Sequence, residues 1–241
     1  MISFTFNRLF RTQWIWFSAP HEVEKADEVI FLDYSEGEYA GFRRKEGMTT
    51  IIDLTQKEEA LWEGMREKFV RKQIRRGEAL GISVREGTLQ DFAPLYTSLR
   101  TGKQLASGNL QPVARVGTIL IAEYEELPIA GGLFVGDGTY VRAYALASLR
   151  LAHAAKDGRM REIIGYGNRV LLWEAMKRFK REGYRVFDLG GVNPVSDNPE
   201  DRSLAEFKEA FGGTRAPYFF YRKTYSPLIQ QFRRLRRILP L

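Results

Sequence analysis

The chain of 241 residues has no cysteine and only two histidines, His21 and His153. The lack of cysteine excludes a thiol nucleophile, a cysteine-ligated metal and a disulfide framework. With two histidines, a histidine-rich metal site is also disfavoured. No apolar run approaches the roughly 18–20 residues that span a bilayer. We therefore expect a cytoplasmic protein that holds no metal.

The positive charge is concentrated near the C-terminus. The formal net charge is +7 at pH 7, and residues 210–241 contain seven basic residues and no acidic residue. From Ser226-Pro227 onward the apolar spacing predicts a helix, whose arginines are Arg233, Arg234, Arg236 and Arg237. This segment, 225–241, either packs on the protein or binds an anionic partner, such as RNA or the inner face of a membrane.

A second basic helix is predicted from Glu58 to about Ala79, with an apolar stripe of Leu61, Trp62, Met65, Phe69, Ile74 and Leu80. Arg71 and Arg75 lie on its other face and are candidates for contact with RNA phosphates. A solvated helix surface is the alternative.

The order of predicted elements from Ile82 onward is β-α-βββ-α-β-α-β. This α+β order resembles an acetyltransferase-like (GNAT) domain, in which helices cover a mixed sheet. Asn168 predicts the cap of a helix from Arg169 to about Arg181, preceded by a glycine loop over Arg161–Gly167. A helix N-terminus can bind phosphate, so Asn168 is a candidate for substrate binding, with an ordinary loop as the alternative.

The stretch Phe187-Asp188-Leu189-Gly190-Gly191 predicts a strand that ends at two glycines, followed by a loop and a short helix with Phe207-Lys208. Glycines at a strand end allow a ligand close to the backbone, although a plain turn is the alternative. A lysine beside them can stabilise developing negative charge. Asn193 lies in the loop, and Asp188 is either a proton acceptor or an anchor of the turn.

Several of these segments together resemble the Fem-type (FemABX) aminoacyltransferases: Thr50-Ile51-Ile52-Asp53-Leu54, Leu172-Trp173-Glu174-Ala175-Met176, the Phe187–Gly191 stretch, and Phe207-Lys208 before Phe211-Gly212. The resemblance implies a GNAT-related fold and transfer of an acyl group, often an amino acid from aminoacyl-tRNA, to an amine on a peptidoglycan precursor. It implies that Lys208 stabilises the anionic intermediate beside Phe207. It also implies that Lys103, in Thr101-Gly102-Lys103, faces phosphates of the acceptor.

The chain departs from the family in length, because members commonly have two complete GNAT domains. We predict a shortened N-terminal GNAT-like portion (1–80), a catalytic domain (81–224) and the basic helix (225–241). The resemblance also implies other acyl donors, including acyl thioesters, because relatives with one such domain use them. Three functions therefore stay open: aminoacyl transfer to a cell-envelope precursor, N-acylation of an amino acid or amino sugar from acyl-CoA or an acyl carrier protein, and non-catalytic binding of RNA or membrane. For the two enzymatic functions, the acyl donor is a co-substrate and no cofactor is tightly bound.

Overall fold

The computed structural model describes residues 1–7, 9–106, 108–153 and 157–231. The chain divides into two compact units, one of Met1–Met48 with the segment that begins at Ala216, and one of Thr49–Arg215. These bounds differ from the predicted segments 1–80, 81–224 and 225–241, because residues 49–80 belong to the second unit. The predicted division follows the family resemblance rather than compactness, and it stays a prediction.

The first unit contains a mixed sheet in the strand order β1 (Ile2–Asn7), β2 (Arg11–Trp16), β3 (Glu28–Asp33) and β10 (Thr214–Thr224). Strand β2 is antiparallel to β1 and parallel to β3, and β3 is antiparallel to β10. Alternate residues of a strand share a face, and one face carries the core residues Ile15, Val29, Phe31, Phe219 and Tyr221.

The second unit contains a larger mixed sheet in the order β4-β9-β8-β7-β6-β5. Its strands are β4 (Arg43–Asp53), β5 (Ser83–Glu86), β6 (Thr118–Tyr124), β7 (Leu127–Gly136), β8 (Tyr140–Ser148) and β9 (Val186–Val192). The pairs from β5 to β8 are antiparallel, and β8 and β9 are parallel. Strands β4 and β10 each run across the boundary between the units.

Helices cover this larger sheet on both faces. Its helices are α1 (Glu58–Gly64), α2 (Lys72–Ala79), α3 (Leu89–Gly102), α4 (Gln111–Ala114), α5 (Arg150–His153), α6 (Gly158–Arg181) and α7 (Pro199–Glu209). A Cβ on Gly131 would meet Ile121 and Phe92 of α3, whereas one on Gly167 of α6 would meet Ala122. Neighbouring residues of β6 point to opposite faces, so α3 and α6 lie on opposite sides. The predicted α+β class with a helix-covered mixed sheet is confirmed.

The predicted single helix over residues 58–79 is wrong. Helix α1 ends before Met65, a π-helical turn spans Glu67–Arg71, and α2 follows. The helix breaks because Met65 and Arg66 are extended, and the Arg66 amide donates to the Ala210 carbonyl at 2.9 Å. The interruption changes the phase of the apolar stripe, so Phe69 is 61% exposed rather than buried.

The predicted loop at Arg161–Gly167 and the cap at Asn168 are also wrong. Helix α6 begins earlier, where the Asp157 side chain accepts from the Arg159 amide at 2.9 Å. Asn168 lies inside the helix, and its Nδ2 donates to the Ile164 carbonyl at 3.2 Å. Packing against β7 requires glycine at position 167, because a Cβ there would lie 2.5 Å from Cδ1 of Ile129.

The C-terminal arginines Arg233, Arg234, Arg236 and Arg237 lie outside the described residues, which end with the helical residues 227–231. No helix in the described ranges combines the length and the apolar character needed to cross a membrane.

We predict that Gly212→Ala destabilises the protein more than Gly138→Ala. Both glycines have a positive φ, +83° and +94°, which costs a residue with a Cβ about 1–2 kcal/mol. A Cβ on Gly212 would also lie 3.0 Å from the backbone of Gly64, whereas nothing lies within 4 Å of one on Gly138. We expect a further loss of about 1 kcal/mol or more in urea unfolding for Gly212→Ala. Equal losses would contradict the close approach.

Candidate active site

Lys208 lies in the last turn of α7, with only 6% of its surface exposed. Its Nζ donates to the carbonyls of Gly190 and Gly191, at 2.9 and 2.8 Å. An ammonium has three N–H donors, and these two carbonyls are its only acceptors in the described part of the chain. The strand segment and the lysine therefore meet, as the sequence analysis proposed.

Gly190 and Gly191 lie within β9, which continues to Val192, so the predicted strand end at Leu189 is wrong. Gly190 adopts a φ of +84°, and a Cβ there would lie 3.1 Å from the Ala143 carbonyl and 3.5 Å from Nζ of Lys208. Only glycine combines this backbone conformation with so little space. The sharp change of direction turns the two carbonyls toward Lys208.

Asp188 is fully buried and organises this turn. Its Oδ1 accepts from the Gly190 amide at 2.6 Å and from the Thr49 hydroxyl of β4. Its Oδ2 forms an ion pair with Arg142 of β8, which is also buried. The carboxylate thus links three neighbouring strands and sets the backbone that holds Lys208.

Strands β8 and β9 stop pairing at this point. Their parallel register runs from Tyr140↔Val186 to Arg142↔Asp188, although both strands continue. Just beyond, β8 carries a bulge, because Leu133 of β7 faces Ala145 while Phe134 faces Ala143. Bulges of this kind interrupt strand pairing and are frequent beside active sites. The Gly190 and Gly191 carbonyls that accept from Lys208 lie just beyond the last paired residue of β9, Asp188.

Burial shifts the protonation of Lys208. Desolvation lowers the pKa of its ammonium from 10.5 to about 8, with repulsion by Arg142 acting in the same direction and attraction by Asp188 opposing both. At neutral pH the lysine is mostly a cation in a site of low polarity, where its charge acts strongly on a neighbouring group.

Phe207 is half-buried and packs against the core that includes α6. Its ring centre lies 5.3 Å from that of Phe211 and 5.2 Å from Cζ of Arg169. A guanidinium over an aromatic face is attracted to the ring. Phe207 therefore anchors α7 and positions Arg169, which is not among the residues predicted for the site.

The other predicted residues lie apart from Lys208. Asn193 is exposed just after β9, and Lys103 is exposed at the end of α3, with its Nζ 3.2 Å from Oε2 of Glu200 at the start of α7. Within the described residues, neither Lys103 nor Asn168 makes a hydrogen bond to Lys208 or Asp188. The structure thus brings together Lys208, Asp188, Gly190 and Gly191.

The basic face of residues 66–76 is partly neutralised by Glu67. Nε of Arg71 lies 2.8 Å from Oε2 of Glu67, and Arg75 pairs with the other oxygen. Arg75 also lies over the ring of Trp62, at 5.8 Å. The two arginines are therefore engaged within their own helical segment.

Two contributors, Arg142 and Thr49, were missed by sequence reasoning. Arg142 is a charged residue inside the apolar run of β8, and Thr49 opens the apolar part of β4. A charge in a buried strand requires a partner, and that signal could have identified Arg142, although not its partner Asp188.

No protein-family model and no curated protein matches the sequence. The fold is similar to that of FemX, with a TM-score of 0.65, 12% identity, and coverage of 92% of this chain and 83% of that one. It is also similar to L-PGS from Bacillus licheniformis (TM-score 0.53, 15% identity, 88% and 73% covered). A third similar structure is a conserved protein of unknown function from Bacteroides thetaiotaomicron (TM-score 0.53, 10% identity, 92% and 82% covered). The Fem-type fold expected from the sequence is thereby confirmed.

We predict that Asp188→Asn destabilises the protein by about 3–5 kcal/mol, because it leaves the buried Arg142 without its countercharge. Thr49→Val removes one hydrogen bond to the same carboxylate and should cost about 1 kcal/mol. Urea unfolding of both variants measures the difference. A loss for Asp188→Asn no larger than that for Thr49→Val would show that the ion pair does not stabilise the unit.

The lowered pKa of Lys208 predicts that stability rises with pH between about 8 and 10.5. In that window the unfolded chain binds a proton on Lys208 that the folded protein has lost, so the free energy of unfolding increases with pH. Urea unfolding across this range should show the rise in the wild type, and Lys208→Met should have a smaller slope. Equal slopes would place the pKa of Lys208 near its ordinary value.

Proposed function

We propose that this protein is an acyltransferase that forms an amide by moving an aminoacyl group from aminoacyl-tRNA to an amine on a cell-envelope precursor. The observation that carries the proposal is the buried ammonium of Lys208, held by the carbonyls of Gly190 and Gly191 where β8 and β9 stop pairing. The FemX-like fold over 92% of the chain and the Fem-type segments around Phe207-Lys208 support this choice of donor and acceptor.

In the proposed reaction, the neutral amine attacks the carbonyl carbon of the aminoacyl ester. A C–N bond forms, and the carbonyl oxygen becomes an oxyanion. The remaining N–H of Lys208 donates to this oxyanion, in a site where a preorganised charge requires little rearrangement. As the intermediate collapses, the C–O bond to the tRNA breaks, and the leaving oxygen takes the proton that the amine releases. No covalent enzyme intermediate is needed, which suits a chain without cysteine.

Asp188 acts in this proposal as a positioning residue rather than as the base. Its carboxylate already accepts from Gly190, Thr49 and Arg142 within the buried network. It thereby maintains the turn that holds Lys208, and Phe207 holds α7 in place by packing. Lys103 and Asn193, which are exposed, are proposed to contact the acceptor.

The proposed donor and acceptor place the reaction in the cytoplasm, at the inner face of the membrane. The basic C-terminal residues 225–241 are proposed to bind that anionic surface. Liposomes containing anionic lipid test this part, and undiminished binding after deletion of residues 227–241 would contradict it.

We predict that Lys208→Met lowers turnover by about 100- to 1,000-fold, the loss typical of removing one oxyanion donor. Methionine fills a similar volume but has no N–H. Release of the aminoacyl group and formation of the amide are measured together, with aminoacyl-tRNA as the donor. Lys57→Met, which makes the same change at an exposed residue of the same unit, is the matched control and should keep full turnover.

Unchanged turnover in a folded Lys208→Met variant would eliminate the proposed role. The same assay with an acyl-CoA as donor distinguishes the thioester reaction from the aminoacyl reaction. If the wild type transfers from neither donor and still binds RNA or liposomes, the protein is a binding module instead.

A further inference from the structure

Arg169, near the middle of α6, has its guanidinium held in a fixed orientation. Its Nε donates to the Phe69 carbonyl at 2.5 Å, and its Nη1 donates to the Gly165 carbonyl at 2.7 Å. The guanidinium lies over the ring of Phe207, with its Cζ 5.2 Å from the ring centre. A guanidinium has five N–H donors, so three of them have no protein acceptor in the described ranges.

The charge of Arg169 also lacks a carboxylate partner in the part of the chain that the structure describes. Burial lowers the pKa of its guanidinium, and repulsion by Arg150, the first residue of α5, lowers it further. Arg150 likewise forms no ion pair with any described residue. By contrast, eight other arginines among the described residues pair with carboxylates: Arg44, Arg71, Arg75, Arg85, Arg142, Arg178, Arg215 and Arg222.

Two neighbouring cations, one of them half-buried, are unfavourable without a countercharge. A preoriented guanidinium fork with unused donors matches the oxygens of a phosphate. No residue that the structure describes supplies such a group here, so an anion from a ligand would satisfy both the charge and the hydrogen bonds.

An exposed aromatic residue lies on the segment that Arg169 holds. Phe69 is 61% exposed on the π-helical turn, and its own carbonyl is the acceptor for Nε of Arg169. Exposed aromatic rings are the side chains on which nucleobases stack in single-stranded nucleic-acid sites, and the backbone of Phe69 is bonded directly to Arg169. The aromatic residue therefore points to a nucleotide rather than to a simple anion.

We propose that Arg169, Arg150 and Phe69 form a binding site for a phosphate and base of the nucleotide portion of the acyl donor. The link to the donor rests on the proposed function, because Phe207, over which Arg169 lies, is the neighbour of Lys208 on α7. Coenzyme A and the 3′ end of tRNA share this chemistry, since each carries an adenosine with phosphate. Because residues 161–167 are helical, their backbone amides are engaged within α6, and side chains bind the phosphate instead.

The experiment is calorimetric titration of the full-length protein with three probes: inorganic pyrophosphate, coenzyme A, and a deacylated RNA hairpin ending in CCA. Arg169→Gln should weaken binding of the probe or probes that the wild type binds by about 10- to 100-fold. Arg169→Lys keeps the charge but loses the fork, so its loss should be smaller. The matched control is Arg181→Gln, an exposed arginine of the same helix, which should bind as the wild type does.

Phe69→Ala separates recognition of the base from recognition of the phosphate, and it does not disturb the core because its ring is exposed. It should weaken binding of coenzyme A or of the hairpin while leaving pyrophosphate binding unchanged. This variant keeps the proposal testable if Arg169→Gln fails to fold. Preference of the wild type for coenzyme A or for the hairpin identifies the source of the phosphate.

Equal affinities of Arg169→Gln and Arg181→Gln for all probes would overturn the site, whatever the activity assays show. Absence of binding to every probe by the wild type would overturn it as well. If Lys208→Met keeps full turnover while Arg169→Gln loses nucleotide binding, the phosphate site stands and the proposed catalytic role fails.

Discussion

The carboxylate of Asp188 is the interaction on which the candidate site depends. It joins Thr49 of β4 and Arg142 of β8 to the amide of Gly190 in its own strand. The last of these bonds stabilises a backbone conformation that only glycine adopts readily. The turn in β9 then presents two carbonyls to Lys208, so a buried ion pair in the sheet determines where the ammonium of a helix lies.

Burial changes the pKa and the mobility of the Lys208 ammonium. In water a lysine is a screened, mobile cation, but here desolvation brings its pKa to about 8 and backbone carbonyls fix its position. Such a cation is costly to the folded protein and is compensated most fully when negative charge develops beside it. The same reasoning applies to Arg169, whose guanidinium is oriented and half-buried before any ligand binds. Each of the two cations is therefore stabilised by a negative charge placed beside it.

Much of the fold followed from local patterns, and the errors have specific physical causes. Periodicity identified the strands of the larger sheet and the α+β order. It failed at residues 58–79, where Arg66 bonds to Ala210, a contact distant in sequence. Asn168 and the glycines before it are typical of a helix cap and loop. Position 167 instead requires glycine inside a helix, because Ile129 packs too closely to leave room for a Cβ. A glycine required by packing cannot be distinguished locally from a glycine required by a turn.

The sequence by itself determined the type of fold, the absence of thiol chemistry, and the pairing of two glycines with Phe207-Lys208 as the place to look. These depend on composition and on short-range order along the chain. Only the tertiary structure decided that Asp188 is bound by Arg142 and Thr49. It also decided that Arg169 lies over Phe207 with three guanidinium N–H groups that have no acceptor among the described residues. Those contacts join residues far apart in the chain, and their electrostatic consequences depend on burial, which the sheet and its covering helices create together.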